Sequence, residues 1–416
     1  MIKTPKSLRL HIGLFGRTNV GKSSFLNYVC GQDVAITSHI PGTTTDVVEK
    51  PMELLPLGPV VFLDTAGLDD SSDLGVYRIQ KTRKVFDRSD VICLLTEADA
   101  WGEYEEDVAR EASVRNIPVL VVINKTDLKK PSEAFLETLK PLFQRILSCS
   151  CADRQARDPF VHAFKAHLIE ISPEEFLNPA DLVGDLVPSG GTAVFVVPID
   201  LEAPRGRLIL PQVQAIRDAL DHDISVVVVK ESGIKRVLDN LKNPPDLVVC
   251  DSQAVFEMVS ALPENVKCTT FSILFSRFKG DLLEAVRSVG VIKGLAAGDK
   301  ILIAEACTHH AIEGDIGRVK IPRWMKKYTG LDLEIHVCSG RDFPEDIQRY
   351  KLVVHCGACM FTRREMLARI EKAREAGVAM TNYGVCISFL QGVLERVLSA
   401  FPSARECFPK AEKIPS

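Results

Sequence analysis

The sequence predicts an α/β protein of three successive units, each built on a mainly parallel sheet. Three observations predict it. Apolar, β-branched runs alternate with amphipathic stretches along the chain, the pattern of strands joined by crossover helices. A glycine-rich loop sits between the first such run and the first helix, where a phosphate-binding loop belongs. And 416 residues are more than one hydrophobic core holds, so two or three domains are expected.

The first unit, residues 1–182, takes strands from Leu10–Phe15, Val60–Asp64, Val91–Leu95 and Val119–Asn124. Pro-Ser-Gly-Gly-Thr at 188–192 reads as a linker. The second unit, 190–268, has strands at Val194–Val197, Ser225–Val229 and Asp246–Val249, and helices at Gln212–Leu220 and Ile234–Leu241. It shows no catalytic constellation, so docking or dimerisation is its expected role. The third unit, 269–405, has strands at Lys300–Ala304, Leu333–Val337, Leu352–His355 and Val378–Thr381, and helices at Leu282–Val289, Arg363–Ala376 and Ile387–Leu398. Open α/β sheets bind ligands beyond the carboxyl ends of their strands. Cys307 and Cys356 each fall just past such an end, on one rim.

Bulk composition excludes several classes. Hydrophobic content of 46% and charged content of 25% are those of an ordinary globular protein. A formal charge of −4 gives no electrostatic case for nucleic acid or an anionic membrane. No signal-like stretch and no run of ~18 apolar residues is present, so a cytoplasmic location is expected. The twelve cysteines are then reduced thiols, and clustered ones read as metal ligands rather than disulfides.

Gly16-Arg-Thr-Asn-Val-Gly21-Lys22-Ser23-Ser24 has the glycines that let backbone N–H groups wrap phosphates, with a helix N-terminus behind them. Lys22 should reach the β- and γ-phosphates, and the Ser23 hydroxyl should bind Mg²⁺. Asp64-Thr-Ala-Gly67 places a carboxylate near that Mg²⁺ and the Gly67 N–H near the γ-phosphate. Thr44, in a run of three threonines, is the natural second metal hydroxyl, though Thr43 or Thr45 fits the spacing too. Asn124-Lys125-Thr126-Asp127 ends another strand, and an aspartate there accepts N1–H and N2–H of guanine, which adenine lacks. GTP is therefore the expected nucleotide. Leu68 stands where Ras-like enzymes carry a water-orienting Gln. Asn19 resembles the asparagine of the tRNA-modification GTPase family, which implies K⁺ beside the phosphates; that family's catalytic glutamate is not evident, and Tyr77 occupies the nearest matching position. For the fifth guanine-contacting motif the best sequence candidate is Ile171-Ser172-Pro173.

Cys307-Thr-His309-His310 is answered by His355-Cys356-Gly-Ala-Cys359. Three thiols suit a 4Fe–4S cluster with an exchangeable fourth ligand, and equally a structural Cys₃His zinc site. His309, His310, His355 and Glu305 are near enough in sequence to fill the fourth position. Cys30, Cys93, Cys250 and Cys338 read as small packing hydrophobes. Cys149 and Cys151 fall in what reads as an insertion, 149–157, and are taken as surface thiols. Cys386 starts a helix near the same rim.

With both ends in view, the chain resembles the FeFe-hydrogenase maturation GTPase family. The P-loop set, Pro198-Ile-Asp200, Ala203 to Pro211, Asp315 to Pro322, and the Cys-x-His and His-Cys-x-x-Cys pair carry the likeness. The resemblance implies GTPase, dimerisation and cluster domains, with Cys307, Cys356 and Cys359 holding a 4Fe–4S cluster whose fourth ligand varies within the family and is left open here, with His309, His310 and His355 favoured. It further implies a homodimeric scaffold that receives a diiron precursor from radical-SAM maturases and delivers it to apo FeFe-hydrogenase, GTP hydrolysis governing these associations. A tRNA- or ribosome-directed GTPase and a cluster-bearing redox enzyme are the rival readings. The first needs RNA binding with a steep salt dependence, and the second a further cofactor site.

Overall fold

The computed structural model describes residues 5–31, 48–64, 84–178, 180–199, 208–306 and 315–408. Thr44, Gly67, Leu68, Tyr77, Cys307, His309, His310 and the stretch 200–207 lie outside them. The chain divides into two compact units, Met1–Pro179 and Ala180–Ser416. Among the described residues no helix is long and apolar enough to cross a membrane.

The first unit is a six-stranded sheet in the order β2-β3-β1-β4-β5-β6. Its strands are β1 (Leu10–Phe15), β2 (Val48–Leu54), β3 (Gly58–Asp64), β4 (Val91–Glu97), β5 (Val119–Asn124) and β6 (Arg145–Ser148). Only β2 runs antiparallel. β1, buried along its whole length, is the near-continuous apolar run that a strand covered on both faces requires. Helices α1 (Lys22–Cys30), α2 (Glu103–Val114) and α3 (Arg157–Ile171) follow β1, β4 and β6. Register Leu14↔Asp64 sets the end of β3 beside the loop after β1. Register Ile123↔Ser148 sets the loop after β6 beside Asn124.

The second unit holds two four-stranded parallel sheets. The first, β10-β9-β7-β8, uses β7 (Thr192–Val196), β8 (Ser225–Val229), β9 (Leu247–Cys250) and β10 (Lys267–Thr270). The second, β12-β11-β13-β14, uses β11 (Lys300–Glu305), β12 (Glu334–Ser339), β13 (Leu352–His355) and β14 (Ala379–Asn382). One continuous apolar core joins them, running from Phe195 through Phe271 and Phe275 to Ile301 and Val354. Helix α5 (Phe271–Lys279) is the shared wall. It packs on α4 (Leu210–Asp221) beside the first sheet and on α6 (Leu282–Ser288), α7 (Arg363–Glu375) and α8 (Tyr383–Leu390) beside the second. Its Phe271 meets Phe195 edge-on, with centroids 5.5 Å apart.

Local expectations needed several corrections. The proposed linker at 188–192 is a turn inside the second unit: Leu182, Val183 and Val187 before it are buried in that core. Asp218 fixes this entry by accepting the backbone N–H groups of Leu182, Val183 and Gly184. The helix expected over 387–398 is two pieces, because Gly392 takes a left-handed φ of 74° and ends the first. β2, β6 and β10 carried no strong periodic signal. β2 is an edge strand with polar residues and a proline at position 51, which only an edge tolerates.

Candidate functional site

The nucleotide site is built from strand ends. After β1 the chain turns through Gly16 and Asn19, the latter at φ 65°, and enters α1 with Gly21 as N-cap at φ 97°. A side chain at Gly21 is excluded by that φ and by space, since a Cβ there would lie 2.5 Å from Asn124 Nδ2. Lys22 is 7% exposed, and its Nζ donates to the carbonyls of Gly16 and, at 3.1 Å, Arg17. Ser23 is half-buried and Ser24 exposed on the first turn of α1. Tyr104 of α2 accepts the Gly16 N–H at 3.2 Å, and Arg17 pairs with the buried Glu105. Asp64, 4% exposed at the end of β3, meets Lys50 Nζ at 3.1 Å.

The phosphate loop and the loops after β5 and β6 meet around Asn124. Its Nδ2 donates to Val20 O in the phosphate loop at 2.9 Å, while its Oδ1 accepts the Cys151 N–H at 3.3 Å. One amide thus ties the phosphate loop to the loop after β6. Asp127 is exposed, and Ser150 Oγ donates to its Oδ1 at 2.5 Å. Lys125, at φ 59°, pairs with Glu97 at 2.6 Å.

This geometry corrects the expectation for Ser172. That residue closes the C-terminus of α3, and its hydroxyl donates to Leu168 O at 2.6 Å. Ser150 is the serine that meets Asp127. The cysteine-rich stretch therefore packs against Asn124 and Asp127 rather than standing out as an insertion, and Cys149 is buried there, not on the surface. The available signal was position, directly after the strand that follows Asn124, but β6 is only four residues long.

The second constellation lies at the carboxyl ends of β11 and β13. Register Ala304↔His355 sets the end of β13, just before Cys356, beside the end of β11. The Cys356 N–H donates to Ala304 O at 2.9 Å, and the Ala306 N–H donates to Cys356 Sγ at 3.1 Å. The loop from Cys356 to Phe361 uses Ala358 at φ 52° and leads into α7, capped by Thr362 and Glu365 in a reciprocal box. Burial pushes the Cys359 thiol up, and Lys279 partly offsets it.

Lys279, at the end of α5, is 1% exposed. Its Nζ donates to the carbonyls of Ala358 (3.4 Å), Cys359 (3.1 Å) and Phe361 (2.8 Å), which fixes the loop from below. Burial pulls its pKa down to about 8. Arg369 of α7, 7% exposed, donates to Gly340 O at 2.7 Å and lies 4.4 Å over the Phe361 ring. Two cations are buried around two thiols. Neither lysine nor arginine was foreseen, because nothing local in the sequence places them here.

Arg369 also decides the state of His355. Its Nη1 lies 2.9 Å from His355 Nε2, and His355 Nδ1 lies 2.9 Å from Cys356 O. An arginine only donates, so Nε2 accepts and Nδ1–H donates. The ring is fully buried, and burial with Arg369 beside it drops its pKa to about 3. With both ring nitrogens engaged, His355 is a support of the loop rather than an open ligand, which corrects one of the expected fourth-ligand candidates. Glu305 is similarly committed: Arg318, Ser339 and Tyr383 all reach its carboxylate at 3.2–3.4 Å. Cys386 is fully buried, and burial alone pushes its thiol up.

Three family models match the chain. A 50S ribosome-binding GTPase model matches residues 11–125. The Hydrogen maturase F dimerization domain matches 182–280, and the Hydrogen maturase F tetramerization domain matches 283–400. Among curated relatives, the tRNA modification GTPase MnmE of a Synechococcus species is 46% identical over 121 residues, 28% of this chain and 25% of that one. GTPase Der of Deinococcus deserti is 38% identical over 152 residues, 36% of this chain and 34% of that one. The chain thus spans about a quarter to a third of the curated relatives it matches. A solved structure of Era with MgGDPNP and a 16S ribosomal RNA fragment is 19% identical, covering 53% of this chain and 93% of that one at a TM-score of 0.33, too loose a likeness to carry weight. The phosphate loop and Asn124 lie within the match to a GTPase domain whose nucleotide is GTP with Mg²⁺, and the two maturase models behind it together span more than half of the chain: the chain belongs to the hydrogen maturase F family of hydrogenase-maturation GTPases.

Proposed function

We propose that the chain is a GTP-gated scaffold whose second unit holds a 4Fe–4S cluster on Cys307, Cys356 and Cys359. The observation that carries this reading is the Ala306 N–H on Cys356 Sγ, because Cys307 is the next residue along that backbone. Amide donation to a thiolate sulfur and buried cations nearby are what an anionic iron–sulfur centre requires of its surroundings. The cluster supplies an iron with a coordination position not taken by a thiol. His309 or His310 would hold that iron at rest.

The chain's own residues bind and orient. Lys279 and Arg369 hold the thiol loop, and Phe361 and Phe343 both lie against the Arg369 guanidinium. In the first unit, Lys22 exchanges its loop carbonyls for the β- and γ-phosphates. Ser23, Thr44 and Asp64 hold Mg²⁺, and the Gly67 N–H meets the γ-phosphate. Asp127, Asn124 and Ser150 select guanine, and Asn19 holds K⁺ beside the phosphates. GTP hydrolysis then sets which partner the scaffold engages. The partners are radical-SAM maturases that load a diiron precursor and apo FeFe-hydrogenase that receives it. The second unit's domain families support a homo-oligomer, and the reading places the protein in the cytoplasm.

The test is anaerobic iron–sulfur reconstitution of Cys307→Ser beside the wild type. The variant is expected to retain little iron while binding GDP normally. Equal iron in both would sink the three-thiol assignment. For Asn19, GTP turnover in K⁺ should exceed that in Na⁺, and equal rates remove the monovalent ion from the site.

A further inference from the structure

Cys149 and Cys151 are assigned no part in GTP binding or in the cluster reading, yet both surround the amide that joins the phosphate and base loops. Cys149 Sγ lies 3.6 Å from Asn124 Oδ1, and the Cys151 N–H donates to the same oxygen. The two thiols stand two residues apart in that loop. Ser150, between them, holds Asp127. Cys149 is 5% exposed, while Cys151 is half-buried and open to a small reagent. Cys151 is therefore the thiol that a reagent meets first, and the enclosed Cys149, whose S–H is committed to Asn124 Oδ1, is the one left to resolve the product. That division is the one expected of an attacking and a resolving thiol.

We propose that Cys151 and Cys149 form a thiol–disulfide exchange site that, when oxidised by a low-molecular-weight disulfide, withdraws guanine-nucleotide binding. The Cys151 thiolate attacks one sulfur of the small disulfide. That S–S bond breaks, and its other half leaves as a thiolate and takes up a proton. Cys149 then attacks Cys151 Sγ, and the second half leaves with the Cys149 proton. The chain keeps a Cys149–Cys151 disulfide, and two electrons have passed to the reagent, which ends as two thiols. Closing this bond removes the S–H donor from Asn124 and reshapes Ser150, so both props of the base-reading pair are lost together.

The experiment uses the full-length wild-type chain under anaerobic conditions with oxidised glutathione as the probe. Affinity for a fluorescent GDP analogue is measured before treatment, after it, and after dithiothreitol, with peptide mapping of residues 149–151. Loss of a hydrogen bond to the Asp127 carboxylate predicts affinity lower by at least about tenfold, restored by reductant, with bound GDP slowing the modification. Cys151→Ser and Cys151→Ala, each compared with its own reduced state, should not respond. Cys356→Ser should respond as the wild type does, which separates this effect from any fate of the cluster. The proposal is overturned if the Cys149–Cys151 disulfide forms with affinity unchanged, if both thiols stay free under the probe, if Cys151→Ser still loses affinity, or if Cys356→Ser abolishes the response.

Discussion

Lys22 and Lys279 are both buried lysines whose ammonium groups donate to the carbonyls of a strand-end loop. The resemblance ends there. Lys22 belongs to the loop it serves and stands at the first turn of α1, where it can leave those carbonyls for a phosphate. Lys279 arrives on α5, far earlier in sequence than the cysteine loop, and is enclosed on three carbonyls. The first arrangement is built for a ligand that comes and goes, the second for a loop that must not move. An exchangeable anion needs a cation that can swap partners, whereas a resident cluster needs a preorganised cradle.

The sharpest way to break this contrast is to remove a thiol. Cys356→Ser should lose most reconstituted iron while GDP affinity stays within about twofold, since the two sites share no residue. A parallel loss of nucleotide binding would show that the units are not separate in function. Next in size is Ser150→Ala against Ser172→Ala. The first should weaken GDP by about tenfold, the worth of a hydrogen bond to a carboxylate, while the second leaves affinity unchanged; titration of both with fluorescent GDP decides it. A reversed order would return the fifth motif to the end of α3.

Lys279→Met is expected to cost about 1–3 kcal/mol in the cluster-free chain, because buried carbonyls lose their donor, read by chemical denaturation. It should also lower the reduction potential of the bound cluster, as loss of a nearby positive charge disfavours the reduced form. An unchanged potential would reduce Lys279 to a packing role. The smallest effect on the metal is expected from His355→Gln. Because both ring nitrogens are already engaged, the electron paramagnetic resonance spectrum of the reduced cluster should keep its g-values. A shifted spectrum would restore His355 as a ligand.

What the sequence made legible follows the same division. β1, β5, β8 and β13 stand at their expected bounds, since each is an apolar run whose signal is local. The phosphate loop was readable because its chemistry and its spacing lie in one segment. Ser150 was missed because β6 alternates weakly over four residues, whereas Ile171-Ser172 imitates a strand end and is in fact the close of a fifteen-residue helix. Lys279 and Arg369 were invisible for a deeper reason. A lysine near the end of an amphipathic helix is ordinarily solvated, and only the packing of α5 between two sheets buries it under the cysteine loop.

The central claim is that the thiol loop backed by Lys279 carries an iron–sulfur cluster. Metal analysis with electron paramagnetic resonance of the wild-type protein, purified without oxygen and then reduced, tests it most directly. About four iron and four sulfide per chain, with a low-temperature signal from a reduced 4Fe–4S centre, is the predicted result. A colourless, zinc-loaded protein that gives no such signal and refuses iron on reconstitution would contradict it.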